Sequence, residues 1–197
     1  MSEYILITGA PGSKWSSVAE NIYQSPDIDR SDSTSERTYL KDVVKHQGAY
    51  FDPGMEFDNS RENWDRPFSG TGRRIIKSHT FAYKLNELKD TGNIIVMVYR
   101  NDFECLEWWT QAGGFEITYP NYQYYKDIET MWDHIVEQNK KIMEFIKDNK
   151  NHVATPADNV DLCRLLDIDF PTNNEKASSN HMIHNYADKD IKVYVYK

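Results

Sequence analysis

The sequence predicts an α/β fold in which a mostly parallel central sheet is flanked by helices. Two observations predict it. The apolar runs Tyr4-Ile5-Leu6-Ile7-Thr8 and Asn93-Ile94-Ile95-Val96-Met97-Val98-Tyr99 lack polar alternation, which is how strands covered on both faces read. Each run is followed by a segment with helical spacing, and strands that alternate with helices pair in parallel. The 197 residues, 39% hydrophobic and 13% aromatic, suit one domain over 1–197 with no internal repeat.

The elements follow in order. After the strand at 4–8, the glycine loop Gly9-Ala10-Pro11-Gly12-Ser13-Lys14 cannot extend it, and Trp15 to Tyr23 has helical spacing through Val18, Ala19 and Ile22. Residues 25–36 are polar and turn-rich, an irregular surface loop, and the acidic run from Asp27 to Asp32 is expected to be exposed. A short helix is expected over 39–44. Residues 51–72 carry glycine and proline with little periodicity, an irregular stretch read as a lid, a substrate loop or simply a poorly ordered insertion. A second strand is expected at Arg74-Ile75-Ile76-Lys77-Ser78, a helical pattern at 80–89, and the strongest strand at 93–99, ending at Arg100. Asp102 is placed to cap the helix that runs through Phe103, Leu106 and Trp109. A Gly/Tyr/Pro loop at 113–123 precedes the longest helix, about 124–149, whose apolar stripe is Ile128, Met131, Trp132, Ile135, Ile142, Phe145 and Ile146. A short strand at 153–154, a helix at 159–166 and an alternating edge strand at 191–196 complete the chain.

Charge and composition narrow the function. Lys and Arg number 23 against 31 Asp and Glu, a net charge of -8 with a pI near 5.2; a general phosphate-backbone binder would be repelled at that charge, so no nucleic-acid partner is expected. No apolar run approaches the roughly 20 residues of a membrane span, and no basic segment precedes the first apolar stretch, so neither a membrane partner nor a signal peptide is expected. Cys105 and Cys163 lie in apolar helical patterns without metal spacing, which suits a reduced, cytoplasmic chain.

Ligands of open α/β sheets bind at the carboxyl ends of the strands. A glycine loop leading into a helix offers free backbone N–H groups and the positive end of a helix dipole, which together suit a phosphate or sulfate. This loop adds Lys14 and the hydroxyls of Ser13, Ser16 and Ser17. It does not follow the nucleoside-triphosphate pattern G-x-x-x-x-G-K-[ST]: counted from Gly9, Lys14 falls on the second glycine, Trp15 on the lysine, and only Ser16 fits. The strongest strand ends in Arg100, a cation, where a Mg²⁺-binding acid would be needed. Lys77 and His79 follow the second strand, so Lys14, Lys77, His79 and Arg100 are expected at strand tips on one sheet edge, with His79 a general base kept neutral by the lysines.

At these positions the sequence resembles the sulfotransferases that use 3′-phosphoadenosine-5′-phosphosulfate. Their P-K/R-S-G-T-T loop is matched by Pro11-Gly12-Ser13-Lys14-Trp15-Ser16-Ser17, their K-T-H by Lys77-Ser78-His79, and their V-x-R-N strand end by Val98-Tyr99-Arg100-Asn101. The likeness covers residues 4–23 and 74–112. It departs where Gly12 replaces a Lys or Arg, where Trp15 replaces a hydroxyl, and where Trp108 replaces a serine; Lys176, Ser178 and Ser179 are the nearest substitute for a missing C-terminal segment. The resemblance implies a three-layer P-loop NTPase-like fold and transfer of a sulfonate from that donor to a carbohydrate or small-molecule hydroxyl, with the 3′,5′-bisphosphate as product and no metal. It implies His79 as base, Lys14 and Lys77 as catalytic cations, Gly9, Pro11, Gly12, Ser13, Lys14, Trp15, Ser16 and Ser17 as the phosphosulfate loop, and Arg100 at the 3′-phosphate. A P-loop nucleoside or nucleotide kinase and a non-catalytic nucleotide-binding relative remain as alternatives.

Other signals carry less. Trp64, Trp108, Trp109, Tyr119, Tyr122, Tyr124 and Tyr125 are read mainly as core and loop anchors, although a stacking platform for an acceptor would use the same residues. His181 and His184 lack a third ligand for a metal. Asp127, Glu129, Asp133 and Glu137 read as solvated charges opposite Lys126, Lys140 and Lys141.

Overall fold

A computed structural model describes residues 4–23, 25–31, 61, 64–65, 68–111, 127–156, 159–170 and 190–197. The expected helix at 39–44, most of the 51–72 loop, the 113–123 loop, Lys176 to Ser179 and the pair His181 and His184 lie outside the described residues.

The chain is α/β, with a five-stranded mixed sheet in the order β2-β1-β3-β5-β4, built from β1 (Tyr4–Gly9), β2 (Arg74–Lys77), β3 (Ile94–Tyr99), β4 (His152–Pro156) and β5 (Lys192–Tyr196). β1 pairs in parallel with β2 on one side and β3 on the other, with Ile5 opposite both Ile75 and Ile94. β5 runs antiparallel to β3 and to β4, so β4 shares the direction of the first three strands. Among the described residues five helices accompany them: α1 (Trp15–Tyr23), α2 (Leu85–Lys89), α3 (Asp102–Gln111), α4 (Ile128–Asp148) and α5 (Asn159–Leu166). None among the described residues is long and apolar enough to cross a membrane.

Strand alternation sends Ile5, Ile7, Val96, Val98, Val193 and Val195 to one face, where α1 and α5 cover them through Val18, Ile22, Leu162 and Leu166. Tyr4, Leu6, Ile95, Met97 and Tyr194 go to the other, against Phe81, Leu85, Ile142 and Phe145. Trp64 is buried there, edge-on to Tyr4 at 5.2 Å and to Phe81 at 6.0 Å, as its core reading requires. Continuous apolar strands follow from this double cover.

Several expectations change. The last strand is interior, not an edge: Val195 faces Val96 on one side and Val153 on the other. Its Val/Tyr alternation misleads because the ring of Tyr194 is apolar enough to pack into the second core. The edge on that side of the sheet, among the described residues, is β4, where Val153 is 48% exposed. The 80–89 pattern divides into a 3-10 turn, His79–Tyr83, and the short α2. Asn101 rather than Asp102 caps α3, its Oδ1 accepting the Phe103 N–H at 3.0 Å, while Asp102 accepts from the Asn139 amide at 2.6 Å. The long helix begins at Ile128 behind Asp127, which accepts the Thr130 N–H at 2.7 Å. Ile128 is 58% exposed and so leaves the stripe, and Trp132 is half-buried against Phe103 at 4.7 Å. In the acidic run Asp29 is buried, paired with Arg74 at 3.5 Å.

The interior position of β5 is testable. Val195→Pro removes a ladder donor between two neighbours, and no side of the strand can spare it. The variant is expected to lose its cooperative urea transition, whereas a strand at the sheet edge would keep it.

Candidate anion site at the parallel strand ends

Because β2, β1 and β3 are adjacent and parallel, their carboxyl ends share one edge. The chain leaves β1 at Gly9, where an added Cβ would lie 2.6 Å from both Ser13 Oγ and Trp15 Cβ and 2.9 Å from the Val98 carbonyl. The loop turns back on itself, the Ser13 N–H donating to the Ala10 carbonyl at 3.0 Å. Gly12 has φ +79°, and a Cβ there would stand 1.9 Å from the Cys105 carbonyl oxygen of α3. Close approach of two backbones therefore accounts for glycine at a position where the resembled family carries Lys or Arg. Lys14 follows with φ 64° and starts α1, its carbonyl accepting from Ser17 at 2.9 Å and Val18 at 3.2 Å. The first N–H groups of that helix, at Trp15 and Ser16, have no acceptor within the helix itself.

Three buried cations attach to this loop. Lys77, 1% exposed, donates to Ser16 Oγ at 3.2 Å and sits 4.3 Å from the Trp15 ring. Lys14 sits 4.2 Å from the ring of Trp108. Arg100 donates to the Gly12 carbonyl at 3.4 Å, and its other terminal nitrogen faces Glu104 at 3.4 Å and Asp190 at 3.8 Å. Pro11, Ser13 and Ser17 are buried in the same turn. Ser13 Oγ and Arg100 Nε find no hydrogen-bond partner among the described residues. Trp15 and Trp108, two departures from the resembled pattern, serve as faces on which lysine ammonium groups rest, an arrangement that offsets part of the cost of burying charge.

His79 joins this cluster from below. Ser78 caps its 3-10 turn by accepting the Thr80 N–H at 3.2 Å, and the His79 carbonyl accepts from Thr8 Oγ1 at 3.3 Å. The imidazole is 1% exposed, 6.3 Å from the Trp15 ring and 5.6 Å, edge-on, from that of His134. Its Nδ1 lies 2.9 Å from Gln138 Nε2, which is also 2.9 Å from His134 Nε2, and His134 Nδ1 is 3.0 Å from the Tyr83 hydroxyl. Burial, then the neighbouring His134 and Lys77, push the His79 pKa well below the usual histidine value. Burial brings His134 down to about 4, against an opposing pull from Glu137. Both rings are therefore neutral at pH 7. The two cysteines are inert thiols, pushed by burial to about 12 at Cys105 and about 11 at Cys163.

Lys14, Lys77, His79 and Arg100 thus all reach the loop or its immediate neighbours. The sequence reading missed Gln138, His134 and Tyr83. Their signal was polar residues at 134, 138 and 139 on an otherwise apolar helix face. Among the described residues no group of three or more His, Cys, Asp or Glu side chains could hold a metal ion.

Two outcomes follow from this geometry. Gly12→Ala should lower folding stability by about 2 kcal/mol or more, from the left-handed backbone and the collision with α3, read as a fall in the urea midpoint. The neutral histidines give a pH dependence. Their folded pKa values lie below the ordinary 6.5, so the unfolded chain binds more protons as pH falls below it. Stability should therefore drop between pH 6.5 and 5 with a slope approaching about 1.4 kcal/mol per unit for each ring, and His134→Gln should flatten that slope. No protein-family model, no curated protein and no solved structure matches the chain.

Proposed function

We propose that the chain is a sulfotransferase-like enzyme that takes a sulfonate from 3′-phosphoadenosine-5′-phosphosulfate and gives it to a hydroxyl of a carbohydrate or small molecule. One observation carries the reading: Lys77 from β2 reaches the first turn of α1 and Arg100 after β3 reaches the glycine loop that precedes it, beside a neutral histidine. The residues present fit a doubly anionic nucleotide, since three buried cations gather at one turn and, among the described residues, Ser13 Oγ and Arg100 Nε find no hydrogen-bond partner.

The donor, when bound, supplies a sulfuryl group on a good phosphate leaving group. Lys14, Ser13, Ser16, Ser17 and the N–H groups at the start of α1 hold the 5′ end, and Arg100 holds the 3′-phosphate by exchanging its contacts with Glu104 and Asp190. His79 accepts the proton of the acceptor hydroxyl as that oxygen bonds to sulfur. Lys77 offsets the charge left on the departing phosphate oxygen. A second reading, a nucleotide binder without transfer activity, draws support from the burial of His79 and the carboxylates already beside Arg100.

Calorimetry with adenosine 3′,5′-bisphosphate in EDTA, compared with ATP and Mg²⁺, is the test. The bisphosphate should bind preferentially, and Lys77→Ala or Arg100→Ala should each weaken it about tenfold or more, the worth of one charge-assisted contact. His79→Ala should abolish transfer with binding intact, and unchanged turnover would remove the base assignment. Binding without transfer by the unaltered protein would select the second reading, and no binding would overturn both.

A further inference from the structure

Gln138 is fully buried, and its amide nitrogen stands 2.9 Å from a ring nitrogen of each of two histidines. A primary amide nitrogen carries two hydrogens, one for each ring. Both rings must then offer a lone pair toward it, and a neutral imidazole with a lone pair on one nitrogen carries its proton on the other. His79 accepts at Nδ1 and so is protonated at Nε2. His134 accepts at Nε2 and is protonated at Nδ1, from which it donates to the Tyr83 hydroxyl at 3.0 Å.

Turning the amide by half a rotation would set its carbonyl oxygen between the rings and invert both tautomers. In the arrangement observed, the atom of Gln138 without a partner among the described residues is the carbonyl oxygen Oε1. The turned amide would instead strand an NH₂ with two unused hydrogens in the same place, and a buried orphan donor is the costlier of the two. Both rings are held neutral: burial first, then His134 and Lys77, act against a charge on His79, and burial against one on His134 outweighs the pull of Glu137.

We propose that Gln138 is a positioning residue that selects the tautomers of His79 and His134 together, holding the resting protein with an N–H rather than a lone pair at His79 Nε2. The tautomers stand on this geometry alone. Their consequence rests on the base role given to His79 above: with a proton already on Nε2, acceptance there requires the opposite tautomer, which the Gln138 amide in this orientation opposes.

The test is long-range ¹H–¹⁵N correlation on histidine-labelled protein at pH 7. The unaltered protein should show His79 protonated at Nε2 and His134 at Nδ1. Gln138→Glu, when its carboxylate is ionised, puts a group there that only accepts, so protons should appear at His79 Nδ1 and His134 Nε2, a change that loss of packing alone does not produce. A resting His79 protonated at Nδ1, or an unchanged pattern in Gln138→Glu, would overturn the proposal; should that variant not fold, the unaltered spectrum decides by itself. Titrating the labelled protein with adenosine 3′,5′-bisphosphate keeps the two ideas apart: failure to bind overturns the nucleotide reading and leaves the tautomer result standing.

Discussion

The backbone of Gly12 lies against the carbonyl of Cys105, and that contact governs the geometry of the whole strand-end cluster. It sets the loop down on α3, which brings the Gly12 carbonyl within reach of Arg100 and carries Trp108 of the same helix beneath the Lys14 ammonium. The tight turn from Gly9 to Lys14 then aims α1 so that Trp15 and Ser16 meet Lys77 from the neighbouring strand. A side chain at position 12 would collide with the Cys105 backbone, at the residue whose carbonyl Arg100 holds. Small residues act here through what they allow to touch.

Buried charge is the second constraint. The protein encloses Lys77, Lys14 and Arg100 at one edge of a sheet while carrying a net charge of -8 overall, so the local sign opposes the global one. Aromatic faces, hydroxyls and two carboxylates stabilise the cations, and the imidazoles below them remain uncharged by burial. An anion approaching this edge meets a short-range positive field inside a long-range negative one, which favours compact, strongly charged ligands over extended polyanions.

The strands at 4–9, 74–77 and 94–99 and their parallel pairing were legible, because residues covered on two faces leave an unbroken apolar signal and chain order fixes which ends coincide. The gathering of Lys14, Lys77, His79 and Arg100 about one turn followed from the same logic. What escaped was set by tertiary neighbours. Tyr194 hid the interior position of β5, since its ring packs as an apolar residue though it alternates with valines like a polar one. Asn101 capped in place of Asp102 because Asn139, far away in sequence, engages the Asp102 carboxylate. Gln138 and His134 are spaced as any polar pair on a helix, and only the position of His79 on another element gives them meaning.

The interleaving of β5 between β3 and β4 has a consequence for how the polypeptide matures. β4 precedes β5 in the chain yet, among the described residues, pairs with the sheet only through it, with Val153 joined to Val96 by way of Val195. During vector synthesis the first three strands can assemble with α1 and α4 while β4 waits, its hydrogen-bonding groups unmatched, for a strand some ninety-nine positions beyond the residue it will lie beside. Closure of that long circuit is slow by its entropy. Nascent chains halted before residue 192 would therefore hold the cationic strand-end cluster on an unfinished sheet, and would be the form most exposed to chaperones and to self-association.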